Sequence, residues 1–236
     1  MLLIQILLDD EVIAEADNIQ LEYYSTSTLR KFYFTGLQPK IDNVLLEIDD
    51  VLWVEIHYFS GNKNDFHYSD SIELELYEIN HSSSDLWILT GMLTNYYSQG
   101  IIDVYNYWKS GKELQWYNLP KDISIIDYIS SCLKFSSIQE ITPKQDRFEL
   151  DFSRIKSELE ISCAFAEEFL GKRSYMGRYL DTFNDCLLTL YHHHGYFEDK
   201  TIVLKYKNLS IDEELQALIV ELKSILNTYK FQVVEV

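Results

Sequence analysis

Residues 174–191 read SYMGRYLDTFNDCLLTLY, and the reading of this stretch decides the architecture of the second half of the chain. On a wheel of about 100° per residue, Leu180, Phe183, Cys186, Leu187 and Leu190 fall in one sector. That is the apolar stripe of a helix packed on a sheet. Asp181 and Asp185 fall together on the opposite side, with Asn184, Leu188 and Arg178 around them, so both carboxylates are expected in solvent. Like charges at this spacing repel by roughly 0.2–0.5 kcal/mol in an isolated helix. For Asp181 the helix macrodipole offsets part of that if it lies in the first turn.

Outward from this helix, residues 147–236 alternate short apolar runs with helical patterns. RFELDF (147–152), TIVLKY (201–206) and FQVVEV (231–236) read as strands. A helix near 158–170 opens on a capping-box pattern, Ser157 with Glu160, and the last helix opens on Ser210 with Glu213. In that last helix Leu215, Leu218, Ile219, Leu222, Ile225, Leu226 and Tyr229 keep the helical repeat. The order strand, helix, helix, strand, helix, strand calls for parallel pairing and right-handed crossovers.

The first half has a different period. Runs at 2–8, 30–37, 44–48, 51–59, 71–79, 85–93 and 101–108 are short and rich in β-branched and aromatic residues. LLIQILL at 2–8 is followed by Asp9, Asp10 and Glu11, which reads as a strand rather than a secretory leader. In SIELELYEI, Ile72, Leu74 and Leu76 alternate with Glu73 and Glu75, the pattern of a strand with one wet face. The turn at 109–112 is expected to join strand 101–108 to 113–118 as a hairpin. The fold class that follows is two domains: an antiparallel sandwich or barrel over residues 1–140, and an α/β domain over 146–236. Residues 122–135 read as a closing helix capped by Asp122, and the polar stretch 136–146 as the linker.

With 20 basic and 38 acidic side chains the net charge is −18, which disfavours nucleic acid and anionic membrane as partners and favours a basic one. The charge is uneven: residues 1–143 hold 8 basic and 22 acidic groups, residues 144–236 hold 12 and 16. Cys132, Cys163 and Cys186 form no CxxC pair and fit a reducing cytoplasm. No apolar run approaches the length of a membrane span.

Tyr175-Met176-Gly177-Arg178-Tyr179-Leu180-Asp181-Thr182-Phe183-Asn184-Asp185-Cys186-Leu187 resembles the signature of the barstar-like ribonuclease inhibitors, in which an aromatic, a glycine and an L-D-x-x-x-D-C-L run open the second helix. The resemblance covers about the last 90 residues. It implies a three-stranded parallel sheet with packed helices. It also implies a partner-binding surface built on Tyr175, Met176, Gly177, Tyr179, Asp181, Asn184, Asp185 and Leu188, which plugs the cationic site of a basic toxin, a ribonuclease. Two carboxylates one turn apart suit the donor fork of arginine and stand in for RNA phosphates. No catalytic residue, metal or cofactor is implied. The chain departs from the family at Asn184, where a tryptophan is common, at Met176, where a second aromatic stands, and at Ser224, where an acid can lie and only Glu221 is near.

Three other readings compete. A carboxylate-pair hydrolase needs two acids flanking a cleft, with at least one desolvated. His192, His193 and His194 point about 100° apart and suit a helix C-terminus closed by Gly195 better than a metal. Tyr105, Tyr107, Trp108, Trp116 and Tyr117 are the residue types of a sugar-stacking platform, through which the β domain would carry recognition of a carbohydrate or another partner; core and cross-strand pairs are the plainer assignment. No phosphate loop, nucleophile elbow or HExxH motif is present.

Overall fold

The computed structural model describes residues 2–23, 28–41, 44–59, 66–94, 97–136 and 145–236. The chain divides into two compact units, Met1–Glu113 and Leu114–Val236.

The first unit is one antiparallel sheet: β1 (Leu2–Leu8), β2 (Glu11–Ala16), β3 (Asn18–Tyr23), β4 (Leu29–Thr35), β5 (Gln38–Pro39), β6 (Val51–Phe59), β7 (Phe66–Ser82) and β8 (Leu86–Leu93), in the order β3-β4-β8-β7-β6-β1-β2-β5. Asp9 and Asp10 turn β1 into β2 with φ of 49° and 64°, the backbone a two-residue hairpin requires. β2 and β3 are separated by Asp17 alone, yet β3 is the first strand in the order and β2 the last but one. Beside Asp17, just past the end of β4, Gly36 has no room for a side chain: a Cβ there would sit 2.4 Å from Asp17 Oδ2. Ile4, Ile6, Val54, Ile56, Ile72 and Leu74 alternate into the interior, as the period-two pattern requires.

Three expected strands of the first half, 44–48, 101–108 and 113–118, are absent. Residues 44–48 form no strand, because Asp50 Oδ2 accepts from Glu47 N at 2.7 Å and Asp49 takes φ 74°, which makes a turn. Residues 101–108 lie in a helix, α1 (Gln99–Lys109), so the hairpin to 113–118 does not form. Its buried residues Ile101, Ile102, Val104, Tyr105 and Trp108 follow a helical repeat, and Ser98 Oγ caps its start by accepting from Ile101 N. Residues 116–118 are one turn of 3₁₀ helix.

The second unit contains the expected parallel sheet. β9 (Arg147–Asp151), β10 (Thr201–Lys205) and β11 (Gln232–Glu235) pair in the order β11-β10-β9, every pairing parallel. Between them run α3 (Glu158–Phe165), which ends in a π-helical turn over Ala166–Leu170, then α4 (Leu180–His194) and α5 (Glu213–Thr228). Phe148, Phe165, Phe169, Phe183, Phe197 and Phe231 are buried and stack edge to face or face to face, with Phe165 and Phe183 ring centres 4.8 Å apart. Edge-to-face contact favours such pairs beyond the area they bury.

Capping agrees with the sequence at one helix and differs at two. Ser157 Oγ accepts from Glu160 N, and Glu160 Oε2 takes Lys156 N at 2.6 Å, closing the start of α3. At α5 the cap is Asp212, which accepts from Leu215 N at 2.8 Å, and not Ser210. A further helix, α2 (Ile125–Ser136), is capped by Ser124 and Asp127 in reciprocal hydrogen bonds, and not by Asp122. This helix belongs to the second unit, where the sequence placed it with the first. Its buried side chains Tyr128, Ile129 and Cys132 line a cavity of about 10 Å³ together with Cys163 of α3 and residues 174–177. Most of the expected linker, residues 137–144, falls outside the described residues.

Candidate functional site

The chain enters α4 through a strap that leaves no slack. Gly177 takes φ 86°, and a Cβ there would meet Phe183 N at 2.5 Å and Thr182 C at 2.7 Å. Its role is therefore close backbone approach, and it is buried. Thr182 Oγ1 accepts from Arg178 N at 2.9 Å and Tyr179 N at 3.0 Å, and donates to Tyr179 O. Glu158 of α3 accepts Leu180 N at 3.0 Å. Glu158 thus answers an orphan donor of the helix start, and Thr182 ties down the two residues before it; the sequence reading missed both. A threonine at the third helical position was the legible signal.

On α4, Leu180, Phe183, Cys186, Leu187 and Leu190 are buried as expected. Asp181 and Asp185 are exposed. Asp181 Oδ1 accepts from Thr182 N at 2.6 Å, and neither carboxylate pairs with a cation among the described residues. Leu188 is 42% exposed and Tyr179 54%, which puts apolar area on both flanks of the acids. Asn184 is half-buried, its side-chain and main-chain oxygens held by Tyr229. Tyr175 is half-buried, and burial raises its phenol pKa. Met176 corrects the expectation: at 1% exposure it is a core residue, packed over α2 and α3, and offers a partner nothing.

The arginine that precedes α4 is engaged elsewhere. Arg178 Nη2 donates to Ser130 Oγ of α2 at 2.7 Å. The cavity of about 320 Å³ lined by Phe152, Lys156, Leu209, Asp212 and Leu215 includes neither aspartate.

The remaining candidates separate. His192, His193 and His194 are exposed in the last turn of α4, with Gly195 at φ 77° closing the helix. No group of three or more His, Cys, Asp or Glu is placed to hold a metal among the described residues. Tyr105 and Trp108 are buried in α1 of the first unit, while Trp116 and Tyr117 belong to the second, where Arg154 lies over the Tyr117 ring at 4.7 Å. The three cysteines are free thiols; burial raises Cys132 and Cys186 to about 12 and Cys163 well above its ordinary value. Among the described residues no helix is long and apolar enough to cross a membrane.

Comparison with known proteins finds no match for this chain, whether a family model, a curated protein or a solved structure.

Proposed function

We propose that the second unit is a barstar-like inhibitor domain and that the protein acts as an immunity protein in the cytoplasm, blocking a basic toxin, a ribonuclease, with the outer face of α4. One observation carries the reading: Asp181 and Asp185 stand exposed one turn apart, without a cationic partner among the described residues, between exposed Tyr179 and Leu188. An anionic pair with apolar flanks is complementary to a phosphate-binding pocket of arginine, lysine and histidine. In it, desolvated charge-assisted bonds add to aromatic contact. The inhibitor needs no chemistry of its own. A hydrolase needs an acid desolvated in a cleft, and both aspartates face solvent.

The test is inhibition of small basic ribonucleases by the purified full chain, including any encoded beside it, with Asp181→Ala and Asp185→Ala as controls. Inhibition is expected, each variant weakening it by about thirtyfold or more. That magnitude is borrowed from truncation of a buried charge pair, for which the barnase–barstar complex is itself the worked case. Inhibition that survives both substitutions rejects the reading.

A further inference from the structure

α2 has the position of a clamp on the strap that feeds the acid face. Arg173 and Arg178 bracket residues 174–177, and both are drawn onto α2. The Arg173 guanidinium lies 5.4 Å from the centre of the Phe135 ring, and Arg178 Nη2 donates to Ser130 Oγ at 2.7 Å. Between these two points Tyr128, Ile129 and Cys132 of α2 line a cavity against Ser174, Tyr175, Met176 and Gly177. Ser130 is oriented for its task. It is 3% exposed, and its single hydroxyl proton goes to Ile126 O at 2.6 Å, which leaves a lone pair for the guanidinium.

Arg178 lies three residues before Asp181 in the chain, at the entrance to α4. Left loose, its guanidinium would be attracted to those carboxylates. It would then compete with any cation arriving from outside, because a nearby opposite charge offsets part of the attraction the carboxylates exert, by up to about 1 kcal/mol, or about fivefold, for an exposed pair. We propose that Ser130 is a positioning residue: by holding Arg178 on α2 it keeps Asp181 and Asp185 uncompensated, so that α4 presents its full negative charge to guanidinium groups of a partner. This deepens the reading of that face as a partner surface and rests on it. It also gives α2 a purpose in the second unit, because the helix both buttresses the strap and removes the internal competitor.

The experiment titrates the isotope-labelled full chain with a tri-arginine peptide and follows the backbone amide resonances of Asp181, Asp185 and Leu188. Wild type binds at these residues. Ser130→Ala weakens that binding by about two- to fivefold, the range of one exposed charge pair, and Arg178→Gln alone does not weaken it. The double variant Ser130→Ala/Arg178→Gln returns to wild-type affinity, a rescue that a packing role for Ser130 would not produce. A second measurement stands if Ser130→Ala does not fold: in wild type the Arg178 guanidinium gives through-space contacts to Ser130 Hβ, and their absence overturns the proposal. Equal binding by Ser130→Ala, a double variant as weak as the single one, or no shift at the aspartates in wild type also overturns it. The peptide reads the charge of the face whichever macromolecule uses it. Absent ribonuclease inhibition with the rescue intact therefore rejects the inhibitor reading alone, and inhibition without the rescue rejects the clamp alone.

Discussion

The Tyr229 hydroxyl lies 3.1 Å from both the main-chain and the side-chain oxygen of Asn184, so the residue that ends α5 anchors the middle of α4 between its two aspartates. Burial raises the Tyr229 pKa and the Asp185 charge adds to it, which keeps the phenol a donor. Tyr229→Phe removes that donor and leaves the ring in place. The expected cost is about 1 kcal/mol in urea unfolding, with the Asn184 side chain released toward solvent.

The two positive-φ glycines flanking α4 separate crowding from conformation. At Gly195 a Cβ would meet nothing within 4 Å, so Gly195→Ala is expected to cost only the backbone strain of φ 77° with ψ −162°, a region nearly confined to glycine, about 1–3 kcal/mol. Gly177→Ala adds a collision with the rigid main chain of Thr182 and Phe183. Its loss should exceed that of Gly195→Ala clearly in paired thermal denaturation.

Capping of α5 is decided by one oxygen. Asp212→Ala should lose about 1 kcal/mol, because Leu215 N is left without its acceptor. Ser210→Ala should be neutral within about 0.5 kcal/mol. Equilibrium unfolding of the two variants side by side distinguishes them.

Glu235, in β11, accepts from Tyr206 Oη at 2.6 Å and pairs with Lys223 of α5. Hydrogen bonds from Lys223 first and Tyr206 second hold its carboxyl below the usual glutamate range. A depressed folded pKa means this stabilisation is present above the unfolded value of about 4.3 and is lost as pH falls through the folded one. The stability gap between wild type and Glu235→Gln should therefore be constant above about pH 5.5 and shrink on acidification below about pH 4.5. Melting temperatures across pH 3 to 7 measure it, and partial exposure keeps the gap within about 1 kcal/mol.

Much of the second unit was legible because its signals are local. Helical periodicity over residues 180–190 placed five side chains inward and two aspartates outward, and the strand–helix order called for the parallel sheet that forms. Residues 101–108 were misread because IIDVYNYW is rich in residues favoured in strands. Ser98 before it and Lys109-Ser110-Gly111 after it are helix start and stop signals that outweigh composition.

The sequence by itself determined the alternation of the strands in the antiparallel sheet, the element order after residue 147 and which face of α4 meets water. Each follows from the repeat of neighbouring residues along one element. Tertiary structure alone decided that α2 joins the second unit, that Met176 is core, that Arg178 turns to Ser130 and that the strands on either side of Asp17 lie far apart in the sheet order. Those outcomes depend on contacts between residues far apart in the chain: Ser130 and Arg178 are 48 positions apart, and no periodicity spans that interval.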